Sequence, residues 1–400
     1  MTQTVNSDAR SRTGLDPHAL RRRLEALLGI PATEGNALTV FRNGDDIFPA
    51  MLDAVATARR SVDFCTFVYW RGDIAHEFAH ALADRASAGV RVRVLIDSFG
   101  GRLIDPELIE HMIRCGVEVR WFRELRAIGL RLHKHNHRGH RKVLVCDESV
   151  AFTGGVGIAE EWCGDARGPD EWRDTHFRLT GPAVDGVRAA FAQNWAEAGG
   201  ELGHEDVDRF DEQPQPGDSV IQVVRGSATP AWGDISMVFR IVLESAQERV
   251  RITTAYFNPD AQFRDLLAAT VDRGVEVDIL LPGPHHDKRV CQLATESTYA
   301  ELVSRGVRLW NFQPTMLHAK VLTVDRAAAV IGSSNFNRRS FNLDEELVLT
   351  VFDADVVALL DDHFEDDLRR SERITPRRWK RRPVRQRVAE QLSRVGGPWF

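Results

Sequence analysis

No run of eighteen apolar residues occurs anywhere in this 400-residue chain, so nothing in it is long enough to cross a bilayer core of ~30 Å as a helix, and it is not expected to span a membrane by itself. The polar stretch 1–12 likewise has no signal-peptide core. A cationic surplus is also missing. The net charge is -6, with 52 Lys and Arg against 58 Asp and Glu, which argues against the global positive field of a dedicated nucleic-acid binder, and no nucleic-acid partner is expected. Cysteine is scarce: Cys65, Cys115, Cys146, Cys163 and Cys291 are odd in number, sit mostly inside apolar patterns and show no metal-type pair spacing, so they read as reduced structural residues. Apolar material is ample, at 43% of the chain, and can support two domains with sizeable cores.

Against these absences stands one short pattern present twice. His140, Lys142 and Asp147 fit His-x-Lys-x-x-x-x-Asp, and so do His318, Lys320 and Asp325. Both spacers are apolar, Val143-Leu144-Val145-Cys146 and Val321-Leu322-Thr323-Val324, and each copy is followed at the same offset by a small-residue turn, Gly154-Gly155 and Gly332-Ser333. Apolar runs of this length predict buried strands, and residues two apart on a strand share a face, so each copy is expected to set an imidazole beside an ammonium. One such spacing arises often by chance; two with matching turns are a specific signal.

The repetition extends around the motifs. Residues 61–69 read like 249–257, residues 89–96 like 274–281, and residues 116–119 like 306–309. The last two pairs are glycine-capped helix ends running into strands, and strands alternating with helical stretches such as 74–87 and 263–273 predict α/β units in two similar halves that face each other.

From about Asn43-Gly44 through Phe364 the chain resembles the phospholipase D superfamily, and within it the bacterial cardiolipin synthases. The resemblance includes Trp172-Arg173-Asp174-Thr175-His176, Leu317-His318-Ala319-Lys320 and Gly332-Ser333-Ser334-Asn335, with Arg339-Ser340 and Glu346. The paired motifs carry the superfamily, and the intervening similarity carries the synthases. The fold so implied is α/β: two similar phospholipase D-like domains, each a central β-sheet flanked by helices, related by pseudo-twofold symmetry with the active site between them.

The resemblance also implies roles. A phosphodiester needs a nucleophile, positive charge and a proton. One neutral histidine of the pair His140 and His318 would attack phosphorus to give a phosphohistidine, and the other, protonated, would donate to the leaving alkoxide and later deprotonate the acceptor. Lys142 and Lys320 would hold the non-bridging oxygens. Asp147 and Asp325 complete the catalytic motif and are read as holding the strand ends. Asn335 resembles a phosphate-binding amide, with Gly155 and Ser333 beside it as substrate-binding turn residues. Asp174 and Glu346, each opening the strand after its motif, would bond the remaining imidazole nitrogen and fix its tautomer. The first copy departs from the pattern, with Gly157 where the second has Asn335. Which histidine attacks stays open in the sequence; the resemblance favours His140. No cofactor and no metal are expected, because the cluster His133, His135, His137 and His140 lacks nearby cysteine or carboxylate ligands. The loop containing His285-His286-Asp287 is placed near the rim of the site.

The expected organisation is an N-terminal extension over 1–36, a first domain over 37–200, an acidic, proline-containing linker over 201–218, a second domain over 219–368 and a basic tail over 369–400. Within the extension, residues 17–28 form an amphipathic helix that packs on the domain or, alternatively, lies on a membrane surface. A basic stretch before the first motif, from Arg123 to Arg138, is either a gathering loop for anionic substrate or a solvated surface. The tail, with Arg369, Arg370, Arg373, Arg377 and further basic residues to Arg387 around Trp379, is read as an interfacial anchor for anionic lipid. The leading functional reading is a phosphatidyltransferase making cardiolipin from phosphatidylglycerol or a related donor. It would act as a monomer, cytoplasmic and peripheral on the inner face of the cell membrane. A hydrolase with the same motifs, phospholipase D or nuclease, is the alternative, and a binding module with a decayed site is the third reading.

Overall fold

The computed structural model describes residues 14–124, 137–207, 210–227 and 233–382. Arg126, Arg131, His133, Lys134 and His135 of the basic stretch, and the chain beyond Arg382, lie outside the described residues.

The first half contributes strands β1 (Thr33–Arg42), β2 (Ser61–Thr66), β3 (Arg91–Asp97), β4 (Glu118–Phe122), β5 (Val143–Cys146), β6 (Val150–Gly154) and β7 (Thr175–Thr180). The second contributes β8 (Ser219–Gly226), β9 (Arg249–Thr253), β10 (Glu276–Pro282), β11 (Arg308–Phe312), β12 (Val321–Val324), β13 (Ala328–Gly332), β14 (Glu346–Phe352) and β15 (Ser371–Ile374). They form one sheet in the order β15-β11-β10-β9-β12-β13-β14-β8-β1-β7-β6-β5-β2-β3-β4. Outward from the central β8 and β1 the two sides run in the same topological order, so the sequence repeat is also a structural one. In each half three strands pair in parallel, β2-β3-β4 and β9-β10-β11, because helices return the chain between them.

Helix α1 (Pro17–Leu28) precedes the first half, and α2 (Gly44–Thr57), α3 (Asp73–Ser87) and α4 (Pro106–Arg114) cover one face of it. Helix α5 (Val184–Glu197) covers the other face. Alternate strand residues serve the two layers: Val62, Phe64, Leu144 and Cys146 pack toward α2 and α3, while Cys65, Val143 and Val145 pack toward α5. The second half repeats this with α6 (Asp234–Ser245), α7 (Ala261–Asp272) and α8 (Arg289–Ser304) on one side and α9 (Ala354–Arg369) on the other. Between the halves, Val187 and Phe177 share a core with Ile331, Leu347 and Val357. At the centre β1 pairs with β8, and Asn36 Nδ2 donates to Ser219 O at 3.1 Å.

Three expectations at the chain ends resolve differently or take one branch. β1 starts at Thr33, inside the expected extension. Helix α1 follows the packing alternative: Leu20 and Leu24 are buried in the second-half core and Arg23 pairs with Glu244 at 2.7 Å. The expected basic tail is not a tail over its first part. Residues Ser371–Ile374 extend the sheet by pairing antiparallel with β11, and Trp379 is buried, 4.8 Å from the Tyr299 ring, because an edge strand and its aromatic neighbour cover β11 and α8.

Candidate active site

Each motif histidine and lysine stands on the extended segment entering a strand, β5 for His140 and Lys142, β12 for His318 and Lys320. The other half fixes that segment. His140 N donates to Glu345 O at 2.9 Å and Glu345 N to Arg138 O at 2.8 Å; in the second copy His318 N donates to Arg173 O at 2.7 Å and Arg173 N to Met316 O at 2.9 Å. Glu346 and Asp174 follow directly, so a carboxylate from one half arrives behind the histidine of the other. His140 Nδ1 lies 2.9 Å from Glu346 Oε1, and His318 Nδ1 lies 2.8 Å from Asp174 Oδ2. With Nδ1–H donating to the carboxylate, Nε2 is the ring nitrogen that keeps its lone pair in each neutral imidazole.

The carboxylates are themselves held. Ser333 Oγ donates to Glu346 Oε2 at 2.5 Å. Asp174 accepts from Trp162 Nε1 and from Thr175 N, each at 2.8 Å. A Cβ on Gly155 would fall 2.1 Å from Asp174 Oδ1, so glycine is what gives the carboxylate room. Gly155 and Ser333, expected to contact substrate, thus stand behind the histidines and position their partners. Asp147 and Asp325, grouped by motif with the catalytic residues, are not at the cleft. Asp147 accepts from the backbone N–H groups of Arg59, Arg60 and Ser61 at 2.7 to 3.1 Å, and Asp325 from those of Gln247, Glu248 and Arg249 at 2.6 to 2.9 Å. Both have left-handed backbones, φ 51° and 48°, at tight turns where a short carboxylate can cap the neighbouring strand. The strand-end role expected for them is the one the geometry gives.

Lys142 Nζ donates to His140 O at 3.0 Å and lies over the Phe67 ring at 5.7 Å. Lys320 Nζ lies against the His318 ring, 3.2 Å from Nε2, and contacts His318 O. Burial, reinforced by the neighbouring lysines, holds His140 well below the usual imidazole range, and burial with Lys320 lowers His318 to about 4. Burial also lowers Lys142 to about 8 and Lys320 to about 7. The carboxylates split. Burial pushes Glu346 up to about 7, whereas for Asp174 burial is outweighed by the His318 hydrogen bond and by the positive charges of His318 and Lys320, which keep it below the ordinary carboxylate range. The first half therefore sets a negative charge, Asp174, behind the other half's His318, and the second sets a more readily protonated carboxylate, Glu346, behind His140.

Both histidines, Lys142 and Asn335 line one cleft of about 400 Å³ walled by Phe67, Trp70, Trp162, Trp172 and Tyr256. Asn335 Oδ1 accepts from Thr254 at 3.5 Å. At the matching position of the first half, a Cβ on Gly157 would lie 2.6 Å from Val68 Cβ, so the asparagine missing from that copy has no space there. Asp287 joins the cleft rim, its carboxylate taken by the Tyr256 hydroxyl, as the loop's expected position required. Sequence reasoning missed Trp162, which braces Asp174 and packs edge-on to His318 at 5.1 Å, and Arg141, fully buried and donating to Glu346 O at 3.1 Å. Arg141 sits inside the first motif between His140 and Lys142, and a charge alternating into a buried strand was the available signal. Nothing in its local pattern marks Trp162.

A doubled α/β sheet with two crossed histidine–carboxylate pairs on one cleft defines the phospholipase D class of architecture. The family described as cardiolipin synthase, PLD-like domain, matches residues 51–162 and 239–368, and the chain belongs to it. The chain is 32% identical over 381 residues to cardiolipin synthase 2 of Bacillus anthracis, covering 95% of this chain and 73% of that one. It is 29% identical over 372 residues to the major cardiolipin synthase of Bacillus subtilis, covering 92% and 76%. The crystal structure of phosphatidylserine synthase from Haemophilus influenzae superposes with a TM-score of 0.71 at 12% identity, over 94% of this chain and 98% of that one, and shows the same fold.

Proposed function

We propose that this protein is a phosphatidyltransferase that makes cardiolipin from phosphatidylglycerol or a related phospholipid, one chain carrying both halves of the site. The observation that carries this is the pair of imidazoles on a single apolar-walled cleft, each with Nδ1 tied to a carboxylate of the opposite half. His140, beside a proton-carrying Glu346, is the neutral nucleophile: its Nε2 bonds phosphorus as the P–O bond to glycerol breaks. His318, backed by the ionised Asp174, takes the imidazolium form once the anionic phosphate is bound and gives its proton to the departing glycerol oxygen. The same ring then removes the proton of the acceptor hydroxyl, which attacks phosphorus and releases His140. Lys142, Lys320 and Asn335 hold the non-bridging oxygens.

Aromatic walls disfavour water at the phosphohistidine and favour a lipid hydroxyl, which supports transfer over hydrolysis. Within this reading the two halves act as two domains about one site, and the protein works at the inner face of the cell membrane. Incubating purified protein with phosphatidylglycerol vesicles and separating the lipids tests it. Cardiolipin with released glycerol is the expected outcome; phosphatidic acid as the main product would replace the synthase by the hydrolase.

A further inference from the structure

Eight large hydrophobic side chains are exposed among the described residues, and two of them stand at the cleft, Phe99 at 41% exposure and Val290 at 37%, with Leu103, at 48%, four residues beyond Phe99. Phe99 and Val290 line the cleft from its two sides, one from each half, and Leu103 follows Phe99 in the same loop. Singly exposed apolar residues are ordinary; exposed apolar side chains at the entrance to a site, with exposed basic residues beside them, mark a docking surface.

The loop holds Phe99 outward by construction. Trp70 Nε1 donates to Gly100 O at 2.9 Å, and Asp97 Oδ1 accepts from Phe99 N at 2.9 Å. A Cβ on Gly100 would lie 2.0 Å from Phe67 O, so glycine lets the loop lie directly on the end of the first-half strands. The charge at this mouth is basic. Arg102 is exposed with its guanidinium 4.7 Å over the Phe99 ring, and Lys288 and Arg289 are exposed next to Val290. Two acids temper it: Glu296 lies 3.5 Å from Arg289, and Asp287 is engaged by the Tyr256 hydroxyl.

We propose that this rim is where the protein seats on an anionic lipid bilayer: Phe99, Leu103 and Val290 enter the headgroup boundary, Arg102 and Lys288 meet the lipid phosphates, and the cleft opens onto the membrane plane. The proposal rests on the phospholipid reading of the site and adds the surface by which it meets its substrate. It also replaces the role expected for Trp379, whose ring is spent on Tyr299 inside the second half.

The test is co-sedimentation with vesicles of phosphatidylglycerol in phosphatidylcholine, at low and high salt, for the wild type, Arg102→Glu/Leu103→Asp and Leu27→Asp. Leu27, exposed on α1, represents the other apolar surface. The double variant should lose binding by about tenfold or more, since it reverses one charge and removes one inserted side chain. Leu27→Asp should sediment as the wild type does, and the double variant should keep wild-type transfer from dihexanoyl-phosphatidylglycerol dissolved as monomers, which also shows that it folds. Sedimentation of the double variant equal to wild type, or loss in Leu27→Asp instead, overturns the docking surface. The two readings separate cleanly. A wild type that binds vesicles through this rim yet forms no phospholipid product keeps the surface and loses the synthase, whereas one that converts monomeric lipid while its vesicle binding ignores the rim does the reverse.

Discussion

Asp174→Asn keeps the shape of a fully buried carboxylate and removes its charge, which makes it the sharpest probe of how the two halves divide the chemistry. Asp174 accepts three hydrogen bonds, from His318 Nδ1, Trp162 Nε1 and Thr175 N, each at 2.8 Å. An amide offers one acceptor oxygen, so its NH2 group must face at least one of these donors. The larger loss is electrostatic. With charge centres ~4 Å apart and an effective dielectric constant of ~20, the aspartate stabilises an imidazolium at His318 by roughly 4 kcal/mol. If that cation must form before glycerol departs, the variant should lose about 10³-fold in kcat on phosphatidylglycerol. A phosphatidyl ester of p-nitrophenol needs no general acid, so the first-turnover burst of nitrophenolate should fall by no more than about tenfold. Glu346→Gln, a neutral isostere of the proton-carrying glutamate proposed beside the nucleophile, should leave both substrates within about tenfold of wild type. Equal losses on the two substrates in Asp174→Asn, or a loss under tenfold on phosphatidylglycerol, would refute the assignment of His318 as the acid.

Alanine at His140 or at His318 should each abolish turnover on phosphatidylglycerol, and only His318→Ala should still form a phosphohistidine from the activated ester; near wild-type turnover in either sinks the two-histidine mechanism. In the proposed mechanism two lysines and an imidazolium supply the charge that a divalent ion brings to other phosphodiesterases, so exhaustive EDTA treatment should leave the rate within about twofold, and activity lost to EDTA and restored by zinc or magnesium would contradict this. His176 is buried and lowered by burial to about 3. Between the ordinary imidazole value and that figure the unfolded chain binds a proton the folded one does not, so stability falls as pH falls; urea unfolding should show that slope reduced by about 1.4 kcal/mol per pH unit in His176→Gln. Trp379→Ala should cost about 3 kcal/mol in the same assay, and a chain ended after Arg382 should unfold as the full chain does, whereas an anchoring tail would leave Trp379→Ala without effect on stability.

Strand order and the pairing of the halves were legible because a repeat of apolar runs constrains both at once: 61–69 and 249–257 could only be equivalent strands, and they are β2 and β9 with the turns that follow them. His140, Lys142, His318 and Lys320 were singled out because the motif spacing survives in each half separately, and Asn335 because of the family resemblance; both histidines, Lys142 and Asn335 line one cleft. The Arg-rich stretch after Arg369 was read as a tail because composition does not show backbone pairing: Arg370, Arg373 and Arg377 are exposed, yet Ser371–Ile374 adds an edge strand and Trp379 is buried. Arginine can serve an edge strand when its guanidinium lies on an aromatic face, as Arg373 does 5.6 Å over Trp310 and Arg370 does 5.2 Å over Phe312.

The crossing of the carboxylates had no local signature at all. Asp174 and Glu346 were recognisable as residues that open a strand, but the partner of each is set by a single parallel bridge between segments far apart in the chain, Arg173 with Leu317 and Gly139 with Glu345. That bridge has a consequence for the whole molecule. Neither half can complete its own histidine: His140 without the second half loses Glu346, and His318 without the first loses Asp174. The sheet joint between β1 and β8 and the core that Val187 shares with Ile331 therefore position both histidine–carboxylate pairs, since a small shift of one half against the other would lengthen both hydrogen bonds together. The halves are also not interchangeable. The first supplies Asp174, held below the ordinary carboxylate range, and leaves Gly157 pressed against Val68, and the second supplies Glu346, pushed up by burial to about 7, and the amide of Asn335. A duplicated fold, symmetric in its strands, is in this way asymmetric in the carboxylates behind its histidines, which is what the proposed reaction, with one neutral and one charged imidazole at the same moment, requires.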